Sequence, residues 1–297
     1  MSDSMLGSVS GLWRFPVKSM QGERMEAAEI TDAGIVGDRG YALIDSESGK
    51  VVSAKSVRLY PGLMNFRATY TSEPAAGNDL PPVRIELPDG RQVTSESGDA
   101  DTVISDFFGR RVKLARAAPD DYTIDQYHPD IEDADPRGHR DTEIEQKLGS
   151  AFFDEIGAPS PVPVGSFFDL FPITIITTST LRYLARLQPG SDVDVRRFRM
   201  NIVVDTDGEG FVENDWLEKG VSIDDARLGV AMPDPRCVMT TLAQGDLPES
   251  KDLLRTLVMH NRLPVAGAGA FPCAGVYAAV IAPGNIAKGV GVMLTGQ

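Results

Sequence analysis

Residues 232–241 read MPDPRCVMTT and place Cys237 directly after Arg236, in a turn stiffened by Pro233 and Pro235 and followed by Thr240 and Thr241. A cysteine thiolate is both a nucleophile and a soft metal ligand. Arg236 next to it carries a permanent charge, and the prolines fix the backbone that presents the sulfur. The two threonines offer hydroxyls that could cap a following turn or bond a ligand. From the residues alone Cys237 reads in two ways, as a functional sulfur or as a buried structural cysteine. The only other cysteine, Cys273 in AFPCAGVY, has apolar and glycine neighbours and reads as structural.

Basic side chains recur on turns: Lys18 with Ser19 in FPVKSM, Arg39 in GIVGDRG, Lys55 and Arg58 in VVSAKSVRLYPG, and Arg196, Arg197, Arg199 and Asn201 in VRRFRMN. Glycine lets backbone approach a ligand closely, and arginine and lysine neutralise oxyanions, arginine often with two parallel hydrogen bonds. Such a set suits a phosphate or polyanionic cofactor, although each member alone reads equally well as a solvated surface charge. None of these stretches has Walker or dinucleotide glycine spacing. His128, His139 and His260 are far apart and lack a metal-ligand spacing such as His-Glu-x-x-His.

The elements that must position these residues are mostly strands. GSVSGLWRFPV, RGYALID, GKVVSAK, FRATY, VRIELP, RQVTSE and RRVKLARA are short, rich in β-formers and separated by turn residues. SESG is expected to close a hairpin between RGYALID and GKVVSAK. TVISDFFG predicts one helix, with Asp101 as N-cap and Gly109 as stop. Residues 119–146 are acidic and broken by proline, and predict a loop or lid that could dock a basic partner. Alternation then resumes: PITIITTS runs into a helix over TSTLRYLARL, PESKDLLRTLVMH predicts another helix, and NIVVD, ARLGVAM, VYAAVIA and GVGVML predict strands. The expected class is β-rich α+β, a β-barrel with a few peripheral helices. The expected division is 1–118, an acidic linker 119–146, and 147–297.

Bulk properties narrow the function. The 297 residues, 42% hydrophobic and 24% charged, are those of an ordinary globular protein large enough to bury a substantial core. A net charge of −14 argues against nucleic acid or an anionic membrane as partner. No secretory signal and no apolar run of about 20 residues is legible, so the expected location is cytoplasmic. Two cysteines are too few for a disulfide framework or an iron–sulfur cluster, which takes about four ligands.

Taken in order, GLWRFPVKSM…GIVGDRGYALID resembles the N-terminal β-barrel region of MOSC proteins. DVRRFRMNIVVD…FVENDW…MPDPRCVMTT…LLRTLVMHNR…GVYAAVIAPGNIAKGVGVML resembles the MOSC domain, and the two-part layout is most similar to the mitochondrial amidoxime-reducing component and its bacterial relatives. The resemblance implies a molybdenum cofactor, a pterin dithiolene with a terminal phosphate, bound through the sulfur of Cys237 in its RC-x-x-T-T motif, with Pro235 beside it. It implies that Lys18, Ser19 and Arg39 hold pterin and phosphate and that Arg199, Asn201 and Tyr277 make further cofactor contacts. Asp169, Leu170 and Phe171 align with a segment that contributes partly through backbone, but DLF departs from the relatives' small polar residues. Met200 likewise stands where many relatives have proline.

The activity this implies is reduction of N-hydroxylated small molecules by removal of oxygen. Electrons are expected from a separate donor protein, since the chain carries no appended ferredoxin-like cysteines. Two other readings remain at this level. The same thiolate could serve a cofactor or persulfide carrier without turnover, or the chain could be a barrel scaffold whose cysteine is structural.

Overall fold

The computed structural model describes residues 4–119 and 121–295. Seven strands close a barrel: β1 (Ser4–Arg14), β2 (Ile173–Thr177), β3 (Ile202–Asp205), β4 (Gly220–Ile223), β5 (Ala226–Pro235), β6 (Ala270–Ala282) and β7 (Gly291–Thr295). Their order around the wall is β2-β3-β1-β7-β4-β5-β6, and β6 pairs back onto β2. All neighbours are antiparallel except β2 and β3, which run parallel in the register Ile175 to Ile202. A parallel neighbour needs a crossover. Helix α3 (Thr178–Leu187) supplies it, capped at its start by the Thr177 Oγ1, which accepts from the Thr180 amide at 3.2 Å.

Period-two burial, shifted once by a bulge between Val9 and Gly11 of β1, explains the closure. Val9 and Leu12, Ile173 and Ile175, Ile202 and Val204, Val221 and Ile223, Leu228 and Val230, and Val276 and Ala278 all enter one core inside the barrel. The expected β-rich α+β fold is therefore the observed one. Helices α1 (Ala100–Phe108), α2 (Ser150–Glu155), α3 and α4 (Lys251–His260) lie at the periphery.

Residues between β1 and β2 build a second core around Phe66, Leu63, Met64 and Ile85, under a three-stranded sheet of Arg67–Tyr70, Val83–Glu86 and Gln92–Thr94. Met239, from the far part of the chain, joins that core.

Two of the local expectations change. The hairpin expected across SESG is present but short: Ile44 bridges Val51, the Asp45 amide donates to the Lys50 carbonyl at 2.9 Å and the Val52 amide to that of Leu43 at 2.8 Å, while strand Ala42–Asp45 also pairs with Val112–Ala115. Asp99, not Asp101, precedes α1, and the Asp101 carboxylate accepts the Leu114 amide at 2.8 Å. Gly109 ends that helix at φ 63°, as expected. The segment read as a loop contains an antiparallel ladder, Thr123–His128 with Thr142–Lys147, so acidic residues here alternate along strands rather than float.

Candidate cofactor site

Topology brings distant turns to one end of the barrel. Leu12 near the end of β1 faces Ile202 at the start of β3, β2 starts beside β3, and Tyr277 of β6 pairs with Thr174. The turn after β1 (Lys18, Ser19), the segment before β2 (residues 169–171), the residue pair before β3 (Arg199, Met200) and the exit of β5 (Pro235 to Cys237) therefore converge. Three register shifts between β5 and β6, the last at Pro233 to Pro235, bend β5 toward this end.

The result is a cavity of about 150 Å³ lined by Lys18, Ser19, Arg39, Asp169, Leu170, Phe171, Arg199, Pro235, Cys237 and Tyr277. Ten of the eleven expected site residues thus share one wall. Six lysines and arginines line it against two aspartates, an electropositive interior in a chain of net charge −14. Arg199 also borders a neighbouring cleft of about 700 Å³ that includes Phe15, Gln21 and Arg67. The first cavity alone is small beside the several hundred Å³ typical of whole-cofactor pockets, and Arg199 stands between it and the larger cleft.

Three of these residues sit in left-handed backbone that side chains disfavour: Ser19 at φ 67°, Arg39 at φ 50° and Arg199 at φ 57°. Each is held in place. The Ser19 hydroxyl accepts the Ala54 amide at 3.0 Å, the Arg39 amide donates to the Phe15 carbonyl at 2.7 Å, and the Arg199 Nη1 donates to the Met20 carbonyl at 2.7 Å. Arg39 pairs with Asp38, donates through Nη2 to the Arg199 carbonyl at 3.1 Å, and lies over the Phe15 ring, which Arg199 also covers. The Arg199 Nη2 is buried and has no hydrogen-bond partner among the described residues. Burial, reinforced by repulsion from Arg39, lowers the Arg199 pKa to about 9. That is the signature of a cation waiting for an anion.

Lys18 and Lys55 share the Asp169 carboxylate: Lys18 as a short ion pair and Lys55 with Nζ 2.8 Å from Oδ2. Burial lowers Lys18 to about 8 despite Asp169, with Lys55 and Arg39 adding to the fall. Lys55 is also opposed by burial, but Asp169 and then Cys237 carry it above its ordinary value. Burial also works against the Asp169 charge, and the two lysines overcome it and hold the carboxyl well below the usual range. Lys55 was only one basic residue among several in the sequence; its pairing with Asp169 marks it as part of the site. Arg58 instead pairs with the exposed Asp141, and Arg196 with Asp194 and Asp246.

Cys237 is partly exposed and opens the short turn Val238–Thr241. Thr240 Oγ1 donates to the Cys237 carbonyl at 3.0 Å and Thr241 Oγ1 to that of Val238 at 2.7 Å, so both hydroxyls hold the turn rather than a ligand. Arg236 is committed to Asp234 and the Phe198 carbonyl, and its role is to anchor the strand exit. Cys273 is fully buried, and burial pushes its thiol up to about 12, which matches the structural reading. Phe171 stacks on Tyr277 with ring centroids 5.5 Å apart, one apolar wall of the cavity.

Asn201 is the exception. It lies one layer behind the wall, fully buried, accepting from Thr174 Oγ1 at 2.9 Å and donating to Asp38 at 2.8 Å. Asn201 supports that wall: it donates to Asp38, and Asp38 pairs with Arg39. Two residues that sequence spacing set aside, His128 and His139, also line the cavity.

Residues 6–119 match the MOSC N-terminal beta barrel domain and residues 164–293 match the MOSC domain. The chain belongs to the MOSC family. Among curated MOSC relatives it is similar to mitochondrial amidoxime-reducing component 1 of Mus musculus, 26% identical over 98% of this chain and 83% of that protein. It is also similar to mitochondrial amidoxime reducing component 2 of Rattus norvegicus, 25% identical over 86% of this chain and 73% of that protein. Among solved structures, the YUAD protein from Bacillus subtilis superposes with a TM-score of 0.42 at 11% identity, over 100% of this chain and 98% of that one. No helix among the described residues is long and apolar enough to cross a membrane.

Proposed function

We propose that the cavity binds the molybdenum cofactor with Cys237 as its protein ligand, and that the protein reduces N-hydroxylated small molecules with electrons from a separate donor protein. The observation that carries this reading is the buried, unpartnered Arg199 Nη2 on the same wall as a partly exposed cysteine. A soft thiolate beside converging cations is the donor set that an anionic, sulfur-liganded metal group requires. The names of the curated relatives support the same choice.

When bound, the cofactor supplies two-electron oxygen-atom transfer. Per turnover an N–OH group takes two electrons and two protons, the N–O bond breaks, and water leaves. The protein's own part is binding and orientation. Lys18, Arg39 and Arg199 face the anionic part, Cys237 presents its sulfur from a turn locked by Thr240, and Phe171 and Tyr277 keep one wall dry. Asp169 offsets one of the two charges on Lys18 and Lys55, and the charge left over favours an anion.

Cys237→Ala tests the reading. The variant is expected to keep its thermal unfolding midpoint within a few degrees and to lose both bound molybdenum and reduction of an amidoxime. A molybdenum-loaded variant with undiminished turnover overturns it. A wild-type protein carrying a persulfide on Cys237 and no molybdenum, seen by mass spectrometry after growth on molybdate, favours the carrier instead.

A further inference from the structure

His128 closes the strand Thr123–His128, opposite Thr142, and residues 129–141 form the excursion between them. Within that excursion Asp135 is nearly buried, and both histidines turn Nδ1 toward the same oxygen, Oδ2 of Asp135, at 2.6 Å for His139 and 3.8 Å for His128. The three donor atoms all lie within 4.8 Å of one another, and the two rings are 5.3 Å apart.

We propose that His128, Asp135 and His139 form a binding site for a divalent transition metal of the zinc type, at the edge of the main cavity. Two imidazoles and one carboxylate are a borderline-soft donor set that suits Zn²⁺. A tetrahedral zinc centre with bonds of about 2.0–2.1 Å has donor–donor edges of about 3.3 Å, and the two observed separations straddle that value. Asp135 is preset by backbone amides: one carboxylate oxygen accepts the Arg137 amide at 3.3 Å, the other the His139 amide at 3.1 Å. The nearby cations are Arg137 and Lys55, and Lys55 shares the Asp169 carboxylate with Lys18.

His128 and His139 both line the cavity, which puts the site at its edge. Ion pairs from Arg262 to Asp133 and from Arg58 to Asp141 join the excursion to the rest of the chain, and Arg140 to Asp130 braces it internally. A metal here would fasten the cavity's rim, which a segment of this length without regular structure otherwise lacks. The site uses none of the groups assigned to the cofactor, so it stands or falls separately from that assignment.

The test is a Zn²⁺ titration of the metal-free full chain, free of any histidine tag, followed by calorimetry or competition with a chromophoric chelator. One equivalent is expected, with a Kd of about 1 μM or tighter. His128→Ala, His139→Ala and Asp135→Asn should each weaken binding at least about tenfold, while His260→Ala leaves it unchanged. Circular dichroism checks that each variant is folded. In the wild type, zinc should slow amide deuterium exchange across residues 129–141, a readout that needs no variant. Absence of saturable binding overturns the proposal. So does binding that survives the His128→Ala/His139→Ala double substitution, or that is lost in Cys237→Ser while persisting in His128→Ala.

Discussion

Ser19, Arg39 and Arg199 each hold a left-handed backbone that costs roughly 1–3 kcal/mol for a residue with a side chain. Such strain persists only where surrounding contacts over-determine it, and here all three positions ring one cavity. The same wall contains Lys18, whose buried ammonium gives the clearest pH signature. Its pKa near 8 lies below the ordinary 10.5, so between these values the folded state binds fewer protons than the unfolded state. Stability from this group therefore rises with pH across that window, while attraction for an anion fades because the charge is lost. Sulfate, which does not titrate there, should bind the cofactor-free protein progressively more weakly as pH rises from 7 through 8 to 9.5. Lys18→Met should bind weakly throughout and lose that part of the pH dependence. Isothermal titration at several pH values checks both.

At the scale of elements, the site depends on how β2, β3 and β6 meet. Gly275 on β6 has φ 77°, and a Cβ there would lie 2.6 Å from the Ile175 carbonyl oxygen and 2.2 Å from Met200 Cε. Its amide also donates to Glu213 at 3.1 Å, a fully buried carboxylate that accepts from Thr177 and Thr180 and so pins the start of α3. Gly275→Ala should destabilise the protein by about 2 kcal/mol or more, since backbone cannot yield as a side-chain tip can. Denaturant unfolding measures it. Because Met200 sits next to Arg199 and Asn201, the same variant should loosen anion binding as well as stability.

For the whole molecule, the informative strand is β1. It comes from the first residues of the chain yet sits between β3 and β7, strands from its far part, with Val9 and Leu12 in the barrel core. Met239 returns the exchange by entering the core built from the residues between β1 and β2. The two cores should therefore unfold together. A fragment starting at residue 15 should lack a cooperative thermal transition by circular dichroism, because removing β1 opens the barrel and exposes two strand edges. A peptide of residues 1–20 added in trans should restore part of it, and a fragment that melts cooperatively alone would contradict this coupling.

Local patterns were enough to read β1, β2, β3, β5, β6 and β7 but not the four-residue β4, together with the helices α1, α3 and α4 and the turn chemistry around Cys237, Lys18, Arg39 and Arg199. Alternation, caps and short motifs are written in neighbouring residues, and the order of those motifs carried the family. Tertiary structure alone decided the pairing of β1 with β3 and β7, the shared grip of Lys18 and Lys55 on Asp169, the withdrawal of Asn201 behind the wall, and the meeting of His128 with His139. These depend on segments from about ten to nearly three hundred residues apart, whose approach is set by barrel closure and burial across the whole chain. No spacing within a single stretch encodes them.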